Sequence, residues 1–143
     1  MHIRSIVFVV GVLTVLGAGT TQAADKLGKI FVRAGTTEVN GQQFPDAAVE
    51  DSVKDIKKRP GQFALVDQES EADYLLIVVE RKATALSGQM ASKVIVATLS
   101  VRDGTAWKPA TKLQSGAKNT IWSVAANNII SQAEKWVKAN RGK

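Results

Sequence analysis

The densest group of side chains that could do chemistry is an acidic run in the middle of the chain. It consists of four alternating carboxylates, Asp67, Glu69, Glu71 and Asp73. Calcium takes about six to eight oxygen ligands of this kind, but its binding loops also need a glycine for a sharp bend. The run contains no glycine. We therefore predict a solvated connector, in which Asp73 or Ser70 bonds nearby backbone, and we expect no metal and no cofactor.

A second pattern of catalytic spacing is Ser115-Gly-Ala-Lys118. It matches the S-x-x-K element of serine–lysine acyl enzymes, in which the lysine activates the serine hydroxyl. The partner S-D-N and K-T-G elements of those enzymes are absent from the chain. The pattern therefore indicates a glycine-containing loop that leads into a helix.

Histidine chemistry is the class that the composition excludes most clearly. The single histidine is His2, inside the segment that we predict to be an export signal. Histidine is the usual general base near neutral pH and the commonest metal ligand. A carboxylate-dependent hydrolase stays open as an alternative, and its candidate residues are Glu38, Glu71, Asp73 and Glu80. None of these forms an obvious pair of the kind that cleaves glycosides, so the residues favour a binding protein over an enzyme.

Three tryptophans suggest a surface on which sugar rings could stack. Trp122 and Trp136 are 14 residues apart, about four helical turns, so we expect both to pack against the core. Trp107 follows a turn signal and precedes a lysine, which predicts exposure. We predict a binding surface formed by Trp107, Lys108, Lys112 and Lys118.

The basic residues are concentrated near the C-terminal end. The whole chain carries a net charge of +6, and residues 108–143 hold seven basic residues and one acidic residue, Glu134. Such an end could meet an anionic partner, for example a phosphate-bearing glycan or a lipid headgroup. Alternatively, it complements the negative end of a helix dipole. We expect no nucleic-acid partner, because no known nucleic-acid-binding pattern is present.

The first 23 residues have the features of an export signal. Arg4 precedes an apolar run, Ile6 to Leu16, and small residues follow, with a cleavage site predicted before Ala24. We expect residues 24–143 to form a single domain without a transmembrane segment. The chain has no cysteine, so we expect neither a disulfide nor a lipid-modified cysteine. These features predict an exported protein of a bacterial periplasm or the extracellular medium.

The order of the predicted elements places these residues. Apolar, β-branched runs predict strands at 29–33, 63–66, 74–81 and 93–102, with a short fifth strand at 105–108 that ends at Pro109. Amphipathic periodicity predicts helices within 44–61 and 120–140. We therefore expect an α+β fold in the order β-α-β-β-β-(β)-α: a mostly antiparallel sheet of four or five strands, with both helices on one face. The uninterrupted apolar run from Tyr74 to Val79 predicts the central strand.

The step from the second strand to the third resembles the periplasmic α/β domains of bacterial envelope proteins, such as the TolB N-terminal domain and the curli secretion protein family. The resemblance covers about residues 44–82 and depends on Phe63, Leu65, Val66, Ala72 and Asp73. It implies an exported, non-catalytic domain that interacts with other proteins in the cell envelope. The chain lacks the lipid-anchor cysteine of that family, and no functional residue is carried over.

Together these observations favour an exported envelope protein that binds another protein or an anionic envelope polymer. The alternatives are the carboxylate-dependent hydrolase named above and a self-associating structural protein.

Overall fold

The computed structural model describes residues 26–35, 47–84, 92–117 and 121–143. The predicted signal, residues 1–23, lies outside these ranges. The elements in chain order are β1 (Gly28–Ala34), α1 (Ala47–Lys57), β2 (Phe63–Leu65), η1 (a 3₁₀ turn, Glu69–Glu71), β3 (Tyr74–Thr84), β4 (Ser92–Asp103), β5 (Ala106–Ala117) and α2 (Trp122–Asn140). This order confirms the predicted α+β fold.

The five strands form one mixed sheet in the order β2-β1-β3-β4-β5. β1 pairs in parallel with both β2 and β3, whereas β3–β4 and β4–β5 are antiparallel. The two antiparallel pairings are the longest, as the expected mostly antiparallel sheet requires, but the sheet is mixed rather than purely antiparallel. The β1–β2 pair is parallel because α1 carries the chain back to the starting end of β1 before β2 begins, as a crossover connection does.

β3 is the central strand, as the sequence predicts. Leu75 and Leu76 point to opposite faces of the sheet, and both are completely buried. A bulge between Val78 and Glu80 then shifts the register. Because a shift of one residue exchanges the two faces of a strand, Arg81 lies on the same face as Leu76 and below the helices.

β5 is longer than the sequence analysis predicts. It continues past Pro109 to Ala117 and pairs with β4 along its length. Proline lacks a backbone N–H, but β5 is an edge strand and its pairing is irregular beside Pro109, and both conditions tolerate proline. The loop that we predict at Ser115-Gly-Ala-Lys118 is therefore part of a strand as far as Ala117. Leu113, in the same strand, is buried in the core.

Both helices cover one face of the sheet, as expected. The core between the two layers is built from side chains of every strand and both helices, with Ala125, Ala126, Ile129, Ile130, Ala133 and Val137 supplied by α2. The helices run in parallel, because Asp55 contacts Asn127 and Arg59, one turn later, contacts Ser131. Their C-terminal ends therefore lie at the same end of the layer. Within the described ranges, no helix combines the length and the hydrophobicity that spanning a bilayer requires.

The exposed edge of the sheet is partly closed by α2. The side-chain amide of Gln132 accepts a hydrogen bond from the backbone N–H of Gln114 (3.4 Å) and donates one to its carbonyl (3.0 Å). A neighbouring strand would make the same two bonds. Gln132 thus occupies one position at which β5 could pair with another chain.

Candidate functional site: the Trp107 platform

Trp107 lies on the sheet face opposite the helices and is stacked on an arginine. It pairs across the hairpin with Arg102, and the Arg102 guanidinium carbon lies 4.5 Å from the centre of the indole ring. Gly104, with φ of +62°, provides the left-handed conformation that the intervening tight turn requires. The cross-strand pairing therefore brings an aromatic face and a cation together at the end of the sheet.

Arg102 is itself held in place by backbone carbonyls. Its Nε donates a hydrogen bond to the carbonyl of Ala72 and its Nη2 donates one to the carbonyl of Glu69, both at 2.7 Å. Charged donors make stronger hydrogen bonds than neutral ones. The guanidinium is thus fixed over the connector before β3, and it fixes the orientation of the indole ring that lies against it.

The predicted binding residues are divided between the two faces of the sheet. Lys112 pairs with Thr98, which alternates with Arg102 on β4, so Lys112 and Trp107 share a face. Lys108 pairs with Val101 and lies on the helix side. Trp107, for which the sequence predicts exposure, is half-buried, whereas Lys108 and Lys112 are exposed. Lys118 lies outside the described residues. We call the surface formed by Trp107, Arg102 and Lys112 the Trp107 platform.

The platform extends along the strands. The β4 partners of Trp107 and Lys112 are Arg102 and Thr98, which are four positions apart. This corresponds to about 13 Å at about 3.3 Å per residue. One planar apolar face and one exposed cation therefore lie at the two ends of an extended strip. An extended anionic chain can contact both ends at once.

The acidic run predicted to be a connector is one, and η1 lies within it. Glu69 accepts a hydrogen bond from Arg33 Nε at 3.0 Å, and Asp73 accepts one from the backbone N–H of Lys29 at 2.8 Å. These carboxylates bind the connector to β1 and do not converge on a common point. Within the part of the chain that the structure describes, no group of three or more potential ligands could hold a metal.

Tyr74, which begins β3, titrates outside its ordinary range. Burial raises the pKa of Tyr74, and the charge of Asp73 raises it further, while Arg141 acts in the opposite direction. Its ring meets the edge of Phe63, with the centroids 5.9 Å apart. The phenol is therefore part of the packing at this end of the sheet, and the C-terminal end of α2 lies near it.

The other catalytic candidates are separated. Ser115 is buried on the helix side of β5, and its predicted partner Lys118 is outside the described residues, as is Glu38. Glu80 pairs with Lys82 at 2.8 Å and lies seven residues from Asp73, or about 23 Å along the extended chain. That separation exceeds the spacing of about 5–9.5 Å between the two carboxyl groups of glycosidases.

Trp122 and Trp136 pack partly buried against the core, as predicted. The guanidinium carbon of Arg81 lies 3.8 Å from the centre of the Trp122 ring, and the Nζ of Lys93 lies 5.2 Å from it. Arg81 also pairs with Asp51 of α1 at 3.5 Å. This cluster fastens the start of α2 to the sheet. Cation–π contacts of this kind are worth about 0.5–2 kcal/mol each.

A buried polar network joins the two helices. Arg59 contacts both oxygens of Glu134 at 3.1 Å, the Ser131 hydroxyl at 3.1 Å and the carbonyl of Asn127 at 3.4 Å. Its Nε lies 3.2 Å from Asp55 Oδ2 as an ion pair, although that oxygen has no partner with hydrogen-bond geometry. We call these five residues the Arg59 network. It fixes the parallel packing of α1 and α2.

The sequence analysis missed Arg102 and Arg59, for different reasons. Arg102 directly precedes the Asp103-Gly104 turn signal, and a two-residue loop at that signal would have paired it with Thr105. In the structure the loop is Gly104-Thr105, so Arg102 pairs with Trp107 instead. Arg59 ends a run of basic residues that is typical of a solvated helix face. Only the packing of α2 against α1 shows that it turns inward.

No protein-family model and no curated protein matches the sequence. The fold is similar to that of a hypothetical protein, CT253, from Chlamydia trachomatis, with a TM-score of 0.54, 10% identity and coverage of 79% of this chain and 99% of that one. For a dodecameric PelC variant from Paraburkholderia phytofirmans, the TM-score is 0.49 and the identity 15%, with coverage of 80% of this chain and 90% of that one. For a minor lipoprotein from Acinetobacter baumannii, the TM-score is 0.45 and the identity 14%, with coverage of 79% of this chain and 94% of that one.

Identities this low bear on the fold alone. The chain shares its α+β fold with a bacterial protein, over nearly the whole length of that protein. The predicted resemblance to bacterial envelope proteins is supported only in that this fold occurs in a bacterial protein. The finer resemblance to TolB or curli secretion proteins stays a prediction.

Proposed function

We propose that the chain is an exported binding module of the bacterial envelope that holds an anionic polymer on the Trp107 platform. The observation that carries the proposal is the indole of Trp107 held against the fixed guanidinium of Arg102. A flat apolar surface that is already ordered loses little conformational entropy when a ligand packs on it. Export follows from the predicted signal at residues 1–23, and residues 24–143 would be the mature domain.

The chemistry of the platform favours a polymer with acidic groups. The indole offers an apolar face to a sugar ring, while Lys112 and Arg102 supply positive charge for carboxylates or phosphates. The net charge of the chain, +6, adds long-range attraction for such a polymer. Because Trp107 and Lys112 are far apart along the strip, several units of one chain can bind at once.

Tryptophan fluorescence tests this proposal. We expect a polyuronate to quench the emission of the protein and neutral dextran to have no effect. Trp107→Ala should weaken polyuronate binding about tenfold, or about 1.4 kcal/mol, which is within the range of aromatic contact energies. The matched control is Trp136→Phe, since Trp136 packs against the core on the helix side.

Two outcomes would overturn the proposal. One is equal binding by the wild type and Trp107→Ala, and the other is equal binding of polyuronate and dextran. Lys112→Ala should also reduce the dependence of binding on salt, because it removes one exposed charge that ions would screen.

A further inference from the structure

The parallel helices bring two basic segments together that are distant in the sequence. α1 ends with Lys57, and Lys58 follows it directly. The last turns of α2 carry Lys135 and Lys138, with Arg141 directly after the helix. All five side chains are exposed. We call this set the helix-end basic surface.

Contacts in the Arg59 network place the C-terminal ends of the two helices beside one another. Lys58 precedes Arg59, which binds Glu134, and Lys135 follows Glu134 directly. Lys138 lies one turn beyond Glu134 and therefore continues the side of α2 that faces α1. The two helices thus contribute to one surface, rather than two separate patches.

Two buried acidic residues at this end share a single counterion, Arg59, and do not neutralise the exposed cations. Asp55 and Glu134 are both buried and both pair with Arg59. None of the five cations forms an ion pair with an acid within the described ranges. Asp73 is the acid near Arg141, because both influence Tyr74. The surface therefore keeps a strong positive charge.

The composition of the surface indicates the kind of partner. The aromatic residues at this end, Trp136 and Tyr74, are partly buried and packed against the core. The large apolar side chains that are exposed in the described residues, Ile121 and Val124, lie at the opposite end of α2. A partner that offers only negative charge, spread over an area, fits such a surface. We propose that the helix-end basic surface adsorbs the protein to the anionic headgroups of a lipid bilayer.

This inference is independent of the polymer site. The Trp107 platform lies on the sheet face opposite the helices, so the two surfaces have no residue in common. Adsorption by charge alone should be reversible and should fall steeply with salt, since the Debye length shrinks from about 10 Å at 0.1 M to about 3 Å at 1 M.

Co-sedimentation of the full exported chain with vesicles tests the proposal. We expect binding to vesicles of phosphatidylglycerol and phosphatidylcholine at about 0.1 M salt, and release at about 1 M. Each basic residue near such a surface strengthens binding about fivefold, so Lys135→Glu with Lys138→Glu should weaken it by about 25-fold or more. Lys57→Glu with Lys58→Glu should act similarly from the other helix.

The matched control is Lys82→Glu with Lys93→Glu, which changes the net charge equally at the end of the sheet that lies beside the start of α2. We expect it to weaken vesicle binding less than about threefold, because the changed charges lie farther from the adsorbed surface. Circular dichroism checks that each variant is folded. The proposal is overturned if the control weakens binding as much as the helix-end variants, or if pure phosphatidylcholine binds equally well. It is also overturned if the helix-end variants weaken the binding of soluble polyphosphate while vesicles do not bind the protein.

Discussion

Removal of Arg59 should destabilise the protein more than any other single loss of charge on the helices. Arg59→Met keeps the length of the side chain but leaves Asp55 and Glu134 without their shared counterion. Their side chains are only 10% and 11% exposed, so water cannot replace the guanidinium. Asp55 would keep one bond, from the Asn127 amide at 3.2 Å. Glu134 has no other polar partner within the described residues.

The magnitude follows from this burial. Breaking a buried ion pair by removal of one partner costs about 3–5 kcal/mol, because an uncompensated charge stays buried. A domain of this size has a total free energy of unfolding of about 5–15 kcal/mol. We therefore expect Arg59→Met to lower the unfolding midpoint by about 10–20 °C. The assays are thermal unfolding for the midpoint and urea unfolding for the free energy, each followed by far-UV circular dichroism and tryptophan fluorescence.

The exposed pair on the same helix is the control. Lys54 lies 4.0 Å from Glu50, and their side chains are 69% and 68% exposed, so Lys54→Met should cost less than about 0.5 kcal/mol. In a double-mutant cycle, Arg59→Met and Glu134→Gln should together cost clearly less than the sum of the single changes. The reasoning is refuted if Arg59→Met costs no more than Lys54→Met, or if the two changes are additive.

Three further predictions concern single positions. Tyr74 is the only tyrosine, so its ultraviolet titration should give an apparent pKa above the ordinary value of 10.0. Because the fold favours the protonated phenol, its contribution to stability is present below pH 10 and is lost as the pH rises through the folded pKa. Tyr74→Phe should therefore unfold less readily than the wild type in alkali. An equal loss of stability in alkali by the two proteins would contradict this. Gly28 has φ of +136°, and a Cβ there would lie 2.7 Å from the Tyr74 ring, so Gly28→Ala should cost about 1–3 kcal/mol in urea unfolding, whereas a neutral result would disprove the strain. Gln132→Ala should accelerate amide hydrogen exchange at Gln114 and increase self-association by sedimentation, and unchanged exchange would show that the edge has no need of this cap.

The fold could be predicted from the sequence to the extent that local patterns determine it. The apolar run at Tyr74 to Val79 indicates the central strand because a strand buried on both faces has no polar alternation. The spacing of apolar residues in α2 indicates its buried face in the same way. The end of β5 could not be predicted, because a proline stops a central strand but not an edge strand, and the position of a strand in the sheet depends on distant pairings.

The candidate site depends on long-range contacts to a greater degree. Trp107 and Lys112 could be proposed as surface residues from their types and from the turn beside Trp107, although Trp107 is half-buried in the structure. Lys108 lies on the other face because neighbouring residues of a strand alternate between the faces. That Lys112, five residues after Trp107, shares the face of Trp107 follows from the irregular pairing of β5 beside Pro109, which no local pattern predicts. The partners that fix Arg102, the carbonyls of Ala72 and Glu69, are about 30 residues away along the chain.

By itself, the sequence determined the chemistry that is available and the order of the elements. The absence of cysteine and of any histidine beyond His2 is a property of composition, and hydrophobic periodicity is a property of neighbouring residues. Only the tertiary structure decided which charges are buried and which are displayed together. Arg59 and Lys58 are adjacent and look equivalent in the sequence. The parallel packing of α2 on α1 turns the first inward onto two carboxylates and leaves the second on a basic surface.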